Sequence, residues 1–485
     1  MKKIFYSLTL LAVAIATLTI TACSKSETFS LAVPAKGIIV SMPGDSGTTT
    51  FDSTNITSIT TTSVPKGWSV NNIDMYSSTI TVTAPSREDL DKNSAELNGT
   101  LSLKGYTPTG NTKNLSIHLA IVENVVDYST TPANCYVATQ PDTRYIFDPT
   151  TCGNKSNVNT VKVQVIWETT KDLIQYLDIR DGKASFYLAG YQDEDSDIVG
   201  VKAGNALVGG YDDADNLLWS WHIWVTNNDP MATENTITLG GATLMNMNLG
   251  AECNSNGSTD TNTIFNSYGL YYQWGRKEPF VGPTTFDFDL NNDHTLTNYK
   301  GSSAYIDYVE STASEGTLQW ATDNPLSIIK GHKDNDYDWM YNGHDNTLWS
   351  TTAKTENDPC PAGWRVPDAS VYANLTIATT YDEMAWETLQ PQYGIMLTDT
   401  ETAAEFFFTA QGRRNYLDCR LDIINDDEVC PIPWSGYYWT ATTDGGDASA
   451  MFFDLNTATR TTWNGFDAKR AMHRANALPV RCVKE

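Results

Sequence analysis

The chain has 485 residues, which is too long for one ordinary domain and predicts about two to four. Hydrophobic residues make up 40% and charged residues 19%, so the chain can form packed cores and is not a disordered protein. The formal net charge of −26 argues against nucleic acid as a partner and against electrostatic binding to anionic lipid.

The N-terminus has the three parts of an export signal. Two lysines open it, residues 4–20 carry no charge, and a Thr-Ala pair precedes Cys23. The apolar stretch is too short and too rich in threonine for a membrane-spanning helix, which usually needs ~20 apolar residues. Residues 20–23 resemble a lipobox, the bacterial motif at which a cysteine receives lipid. The sequence therefore predicts a signal peptide over residues 1–22, a lipid anchor at Cys23 that binds the chain to a membrane, and a tether over residues 23–28. The alternative is an ordinary secretory signal with an incidental cysteine.

Seven cysteines remain when Cys23 is lipidated, and an exported chain can form disulfides among them. They are Cys135, Cys152, Cys253, Cys360, Cys419, Cys430 and Cys482. The odd number leaves at least one thiol unpaired or intermolecular. The chain contains no CxxC pair and no HExxH or HxH pattern, so we predict neither a metal site nor a cofactor.

Residues 29–124 have the alternation of an antiparallel β-sandwich. Apolar side chains occupy every second position in residues 79–84 and again in residues 115–121, which places them on one face of a half-buried strand. Residues 64–68 (VPKGW) and 98–103 (NGTLSL), with the strand between them, resemble the layout of BACON-type and related Ig-like modules of Bacteroidetes surface proteins.

Residues 125–234 form a second β-rich segment. Valines alternate over residues 161–165. The acidic turn at 212–216 lies between two strand-like runs, residues 205–210 and 217–225, which predicts a hairpin. Both faces of the second run are apolar, so we expect it to be covered on both sides.

Three short runs resemble calcium-binding sequences, and in each case we favour an ordinary turn. Residues 193–197 and 334–338 are rich in aspartate but lack the spacing, glycine and terminal glutamate of a calcium loop. The run Gln140-Pro141-Asp142 matches the letters of a calcium-dependent sugar site, yet it lies in the second β-segment. The sequence therefore predicts no calcium-dependent sugar site of that kind.

Residues 235–485 contain a series of short motifs: LMNMNLGA at 244–251, YGLYYQWGRKEPF at 268–280, DPCPAGWRVP at 358–367, GYYWTAT at 436–442 and LPVRCV at 478–483. In this order they resemble the motifs of the FISUMP family (Fibrobacter succinogenes major paralogous domain), which is related to the C-type-lectin-like fold. The predicted fold class is therefore mainly β: an N-terminal Ig-like β-sandwich, a second β-sandwich-like domain and a C-terminal α+β C-type-lectin-like domain.

The resemblance implies a disulfide between Cys360 and Cys482, because both cysteines lie in the end motifs of the family. Asp368 is expected to cap a short helix. Residues 269–274 are expected to begin the other one. We also expect two local disulfides, Cys135–Cys152 and Cys419–Cys430, which would leave Cys253 unpaired.

A lectin-like fold presents a variable face for recognition, and the last part of the chain supplies aromatic and polar side chains for it. Such residues suit glycan or protein ligands, because rigid aromatic rings offer contact area at little entropy loss. The candidate ligand-binding residues are Trp434, Tyr437, Trp463, Asn464, Phe466, Arg470 and His473. We attribute Tyr438 and Trp439, in the shared motif, to core packing.

The sequence therefore predicts a non-catalytic lipoprotein of the outer membrane that faces outside the cell, with the periplasmic side as the alternative. One alternative function is structural, as a fimbrial-tip or outer-membrane complex subunit. Another is enzymatic, as a carbohydrate-active or formylglycine-generating-like enzyme. Formylglycine-generating oxidases need closely spaced reactive cysteines, whereas Cys419 and Cys430 are well separated. We find no Ser/His/Asp set or phosphate loop in the sequence.

Overall fold

The computed structural model describes residues 28–33, 37–153, 156–192, 199–284, 295–377, 392–422, 435–455 and 465–485. The predicted signal peptide and Cys23 lie outside these residues. The chain is mainly β, as predicted, with short α-helices at Arg87–Asp91 (α1), Thr261–Asn266 (α2) and Leu318–Asp323 (α3). Short 3-10 helices lie at Thr233–Asn235, Lys333–Asn335 and Ala369–Tyr372. Within the described ranges, every helix is too short or too polar to cross a membrane.

The N-terminal part is a β-sandwich. In chain order β1 to β9 are Ser30–Ala32, Gly37–Val40, Ser46–Thr50, Asp52–Thr54, Ser58–Ser63, Ser69–Asp74, Thr79–Thr83, Asn98–Tyr106 and Thr112–Ile121. One sheet has the order β2-β9-β8-β5 and the other β3-β7-β6. Ile80 and Val82 of β7 and Ile117 and Leu119 of β9 are fully buried in the core that the two sheets share. The period-two alternation therefore identified the buried faces correctly.

The middle part has two larger sheets. In chain order β10 to β21 are Val125–Asp127, Cys135–Ala138, Thr143–Phe147, Thr151–Cys152, Ser156–Asn157, Lys162–Glu168, Gln175–Arg180, Lys183–Leu188, Tyr191–Gln192, Val199–Gly200, Gly204–Tyr211 and Leu217–Val225. The predicted hairpin is present as the antiparallel pair β20–β21. Both faces of β21 are buried: Trp221 and Ile223 pack into one core, and Trp224 packs into another.

The C-terminal part consists of small sheets joined by long loops. In chain order β22 to β39 are Thr236–Leu239, Ala242–Met245, Tyr272–Gln273, Leu296–Thr297, Ser303–Ala304, Asp307–Val309, Ser327–Ile329, Trp364–Arg365, Leu375–Ile377, Gly394–Asp399, Glu405–Thr409, Arg413–Arg414, Leu421–Asp422, Ser435–Asp444, Asp447–Asp454, Phe466–Met472, Ala477–Leu478 and Val483–Lys484. The sheets that matter below have the orders β22-β23-β39-β29 and β35-β36-β37.

The predicted disulfide between Cys360 and Cys482 is present, with 6.1 Å between the Cα atoms. The expected pair Cys135–Cys152 is wrong, because both are free thiols. Their side chains belong to different cores, Cys135 with Trp224 and Cys152 with Trp221, so the spacing in the chain does not bring them together. Cys253 is also a free thiol. Cys419 is likewise free, and Cys430, its expected partner, lies outside the described residues.

One helix prediction is confirmed and one is wrong. The Asp368 carboxylate accepts a hydrogen bond from the Ser370 amide and caps the 3-10 helix Ala369–Tyr372. Residues 269–274 do not begin a helix: Gly269 has a φ of 74°, which turns the chain, and β24 follows. The helix lies earlier, at α2, where Asp260 is the N-cap.

Candidate functional site

The structure places four of the seven predicted ligand-binding residues, namely Tyr437, Phe466, Arg470 and His473, on or next to the sheet β35-β36-β37. Trp434, Trp463 and Asn464 lie outside the described residues. The four do not share one environment. Tyr437 and Arg470 lie in one row, His473 lies in a second cluster, and Phe466 packs elsewhere.

The first group is a row in which two aromatic rings lie between two arginines, hereafter the arginine–aromatic row: Arg413, Tyr437, Phe452 and Arg470. Tyr437 and Phe452 are cross-strand partners with ring centroids 5.1 Å apart. The Arg470 guanidinium carbon lies 3.9 Å from the centroid of Phe452, and that of Arg413 lies 5.6 Å from Tyr437. Both distances are typical of cation–π contacts. Phe452 is buried, whereas Arg470 is exposed, so Arg470 forms the outer end of the row.

Phe466 faces the other side of the same sheet. It packs with Ala468 against a core that contains Tyr438, Met451 and Phe453. The two faces differ because side chains alternate along a strand, and Asp467 between them pairs in register with Phe452. This placement favours a packing role for Phe466, and the burial of Tyr438 agrees with its predicted role in the core.

The second group, hereafter the tyrosine–histidine cluster, consists of Tyr337, Tyr416 and His473. The ring of His473 lies 4.5 Å from that of Tyr416 and 5.0 Å from that of Tyr337, measured between centroids. The two tyrosine rings are 5.0 Å apart at an angle of 67°. All three side chains are half-buried. The rings therefore form a compact, partly exposed apolar surface.

Asp447 orients the histidine. Its Oδ1 lies 2.8 Å from His473 Nδ1, which leaves Nε2 as the free ring nitrogen. Among the described residues, neither this Nε2 nor the hydroxyls of Tyr337 and Tyr416 has a hydrogen-bond partner. The cluster thus combines apolar ring faces with polar groups that a ligand can bond.

A strained loop presents Tyr337. Asp336 and Tyr337 both have left-handed backbone conformation, with φ of 52° and 54°. Non-glycine residues adopt it at a cost of about 1–3 kcal/mol each, and they keep it only when surrounding contacts hold the segment. His344 supplies such contacts, since its Nδ1 lies 2.9 Å from Asp338 Oδ2 and its Nε2 3.4 Å from Asp336 Oδ2.

The acidic run 334–338 is therefore more than a solvated turn. Asp334 and Asp336 are exposed, as expected for such a turn, but Asp338 is buried. Burial raises the pKa of Asp338, and the hydrogen bond from His344 opposes that rise. The run 193–197 lies outside the described residues. Residues 212–216 form the hairpin turn, in which the Asp212 carboxylate accepts hydrogen bonds from the Ala214 and Asn216 amides.

The buried side chain of Arg474 connects these loops to the core. Its guanidinium bonds Asn346 and the carbonyl oxygens of Gly445 and Asp447, and it lies 4.4 Å from the Trp274 ring. Burial lowers the pKa of Arg474, although Asp338 and Asp447 favour its charged form. Because this guanidinium connects separate loops, it makes the backbone next to His473 rigid.

The row and the cluster lie at neighbouring points of one strand. Arg470 lies in β37 and His473 directly follows it, three residues on, which corresponds to about 10 Å along an extended strand. Arg413 and Tyr416 are likewise close in sequence at β33. Side chains three residues apart on a strand point to opposite faces, so the row and the cluster are two separate groups. Sequence reasoning missed Arg413, Tyr416, Phe452 and Tyr337, because only their long-range contacts reveal them.

A separate cleft of about 820 Å³ lies between the β20–β21 turn and α3. Its polar lining includes Asp212, Asp215, Asp307 and Asp323, and its apolar lining includes Leu217 and Leu326. None of the predicted site residues lines it. In the part of the chain that the structure describes, no group of three or more His, Cys, Asp or Glu side chains has an arrangement that holds a metal ion. Residues 140–142 form a bend in which Asp142 accepts hydrogen bonds from Tyr187 and from the Gly190 amide.

No family model and no curated protein matches the chain. Distant matches exist among solved structures. The D00-D0 domain of intimin is 10% identical over 40% of this chain and 96% of its own, with a TM-score of 0.17. SGBP-B of the Bacteroides ovatus mixed-linkage glucan utilization locus, solved with a mixed-linkage heptasaccharide, is 10% identical over 39% of this chain and 43% of its own (TM-score 0.13).

A protein of unknown function from Porphyromonas gingivalis W83 is 9% identical over 40% of this chain and 98% of its own, with a TM-score of 0.16. Tandem Ig repeats of Dlar also match, at 11% identity over 41% of this chain and 97% of theirs (TM-score 0.14). TM-scores of this size carry no argument about topology or ligand. The resemblance of residues 235–485 to the FISUMP family stays a prediction.

Proposed function

We propose that this chain is a lipid-anchored cell-surface protein that binds a glycan or protein ligand through its C-terminal part and performs no catalysis. The tyrosine–histidine cluster carries the proposal. Its three half-buried rings offer contact area with little entropy loss, and its two hydroxyls and the Nε2 of His473 offer directional hydrogen bonds.

The rigidity of the cluster supports a binding role. Asp447 fixes the ring of His473, Arg474 holds the loops beneath it, and the strained backbone at Tyr337 is held by His344. A preorganised surface loses little conformational entropy when a ligand binds, so more of the contact energy appears as affinity. Strained, over-determined segments of this kind concentrate at ligand-binding sites.

The environment of Cys419 supports the non-catalytic part of the proposal. Burial raises the pKa of this thiol to about 12, so almost no thiolate is available at neutral pH. An oxidase of the formylglycine-generating kind needs a reactive thiolate. Cys360 and Cys482 form the disulfide and are likewise not free to react.

The order of the segments supports the surface location. The lipobox-like run at residues 20–23 precedes all the β-domains, and the tyrosine–histidine cluster is formed by residues of the C-terminal part. The N-terminal β-sandwich, which has its own core, acts as a spacer between them. Lipid on Cys23 would then leave the binding face pointing away from the outer membrane. A structural subunit would share this layout, but it would not need an exposed face with unpaired polar groups.

The test combines surface exposure with ligand binding. Protease added to intact cells should remove the protein, and the purified mature chain should bind members of an array of glycans and matrix proteins. Tyr337→Asn removes the ring while asparagine tolerates the left-handed backbone, and it should weaken binding at least tenfold. Tyr305→Asn is the matched control, since Tyr305 is exposed outside the cluster, and it should leave binding unchanged. Equal binding by wild type and Tyr337→Asn would contradict the proposal.

A further inference from the structure

We infer that Gly446 is a positioning residue of the tyrosine–histidine cluster, because it leaves room for Asp336 and thereby sets where Tyr337 lies relative to His473. The inference rests on the proposed function for its effect on binding. Its structural basis is the contact between the β35–β36 turn and the loop that carries Tyr337.

The β35–β36 turn consists of two glycines, and the backbone requires only the first. Asp444 and Asp447 pair in register, so Gly445 and Gly446 are the two turn residues. Gly445 has a φ of 61°, a left-handed conformation that favours glycine. The φ of Gly446 is not positive. A two-residue turn that is left-handed only at its first position does not need glycine at the second. Gly446 therefore has another reason to be a glycine.

Asp336 fills the space that a side chain at position 446 would occupy. A Cβ atom built on Gly446 would lie 2.4 Å from Asp336 Oδ2, 2.7 Å from its Cβ and 2.9 Å from its Cγ. Carbon atoms in contact are ordinarily about 3.5–4.0 Å apart. Rotation of the Asp336 side chain moves the carboxylate but leaves its Cβ in place. A methyl group at position 446 therefore forces the backbone at Asp336 to move.

A shift of Asp336 reaches Tyr337 directly, because the two residues are consecutive and share the strained segment described above. Such a segment keeps its conformation only when surrounding contacts hold it. The Asp336 carboxylate lies against the turn at Gly446, and its Oδ2 is 3.4 Å from His344 Nε2. The turn and His344 therefore hold Asp336 from two directions, and both contacts fix Tyr337.

The same turn also orients the histidine of the cluster. Asp447 directly follows Gly446, and its Oδ1 lies 2.8 Å from His473 Nδ1. The ring of His473 lies 5.0 Å from that of Tyr337. The contact between Asp336 and Gly446 thus joins the segment that presents Tyr337 to the segment that orients His473, and it sets the distance between the two rings.

The position of the rings can be measured without a ligand. In the mature chain labelled with isotopic histidine, the ring currents of Tyr337 and Tyr416 shift the NMR signal of the His473 ring, and His473→Gln identifies that signal. Gly446→Ala should move the signal, because the methyl group displaces Asp336 and with it Tyr337. In the Asp336→Gly background the same substitution should leave the signal in place.

Binding to the array of glycans and matrix proteins provides the second measurement. Gly446→Ala should weaken binding about tenfold in the wild-type background and less than about threefold in the Asp336→Gly background. Asp336→Gly removes the atoms that the methyl group would meet, and glycine accepts the left-handed backbone at this position. If Gly446→Ala does not fold, the double variant decides, because it folds only when the clash with Asp336 is the cause.

Gly182→Ala is the matched control. Gly182 lies in the β16–β17 turn with a φ of 73°, and a Cβ atom there would meet open space. Alanine therefore strains this turn without reaching the cluster. It should lower the melting temperature and leave both the His473 signal and binding unchanged.

Two results would overturn the inference: an unchanged His473 signal in Gly446→Ala, and equal effects of Gly446→Ala in the two backgrounds. Neither contradicts the proposed function, which fails only if Tyr337→Asn leaves binding on the array unchanged. If the array shows no binding at all, the proposed function fails, and the His473 signal still decides whether Gly446 positions Tyr337.

Discussion

The histidines of this chain illustrate how much single residues depend on their surroundings. His222 and His473 are the same residue type, but His222 lies in the centre of β21 and is fully buried. Its Nε2 lies 2.9 Å from Asn205 Oδ1 on the neighbouring strand. Burial lowers the pKa of His222 to about 3, so the ring stays neutral in the folded protein. The alternation of β21 predicted a covered face, whereas the half-buried position of His473 beside Tyr416 required the tertiary structure.

We expect His222 to destabilise the folded protein in acid. In the unfolded chain a histidine takes up a proton near pH 6.5, whereas in the folded chain His222 does so only near pH 3. The unfolded state therefore binds more protons between these values, and stability should fall as the pH falls from about 6.5, by at most about 1.4 kcal/mol per pH unit.

The measurement is the free energy of unfolding in urea at pH 7.5, 6.5 and 5.5. His222→Gln should flatten the slope, and the half-buried His118, whose pKa burial also lowers, should account for part of what remains. Identical slopes in wild type and His222→Gln would contradict the prediction.

At the scale of elements, the disulfide joins two segments that also pair as strands. β29 follows Cys360, and β39 follows Cys482, and these strands are neighbours in one sheet. The buried Lys354 ammonium supports the same region, since it donates hydrogen bonds to Asp358 and to the Cys360 carbonyl oxygen. The resemblance to the FISUMP end motifs predicted the bridge, while the contact with Lys354 is visible only in the structure.

We expect the Cys360→Ala/Cys482→Ala variant to be much less stable than the wild type. The bridge closes a loop with a sequence separation of 122, and in the chain-entropy model its loss costs about 5 kcal/mol. The measurement is the urea midpoint. Cys253→Ala is the control, because Cys253 is a free thiol, and it should leave the midpoint nearly unchanged. An unchanged midpoint in the double variant would show that strand pairing alone holds the segment.

At the scale of the whole molecule, the middle and C-terminal parts share one core. A single cluster contains Trp167 and Trp224 from the middle part and Trp274 and Trp439 from the C-terminal part. A buried ammonium reinforces the contact. Lys277 Nζ lies 2.7 Å from Ser220 Oγ and 2.8 Å from Glu278 Oε1, and it stacks on Trp219 at 4.1 Å.

The core of the N-terminal sandwich is separate from the core that the middle and C-terminal parts share. A small cluster of Ile39, Ala120 and Val122 with Tyr176 and Tyr187 joins the sandwich to the middle part. We expect a chain of residues 124–485 to keep the cooperative thermal transition, with a modest decrease in melting temperature. A chain of residues 235–485 should be unfolded, because it lacks Trp167 and Trp224 and exposes the rest of their cluster.

Circular dichroism and calorimetry of the two truncated chains provide the check. A folded 235–485 chain with the melting temperature of the full chain would show that the shared core contributes little. An unfolded 124–485 chain would show that the N-terminal sandwich is part of the same cooperative unit.

The strand faces, the β20–β21 hairpin and the Cys360–Cys482 bridge could be predicted from the amino-acid sequence. Each has a signal in the sequence. Ile80 and Val82 alternate with threonines, and the turn at 212–216 separates two strand-like runs. The two cysteines lie in the motifs DPCPAGWRVP and LPVRCV. The first two signals can be recognised because side-chain direction in a strand has a period of two, and because turn residues adopt particular backbone angles.

The contacts between distant segments could not be predicted from the sequence. Tyr337, Tyr416 and His473 come from three loops far apart in the chain, and no periodicity links them. The wrong pair Cys135–Cys152 has the same origin, because spacing does not reveal which of two cores a side chain enters. Close packing around Trp274 and Arg474 fixes where these loops end, and that packing depends on all the segments at once.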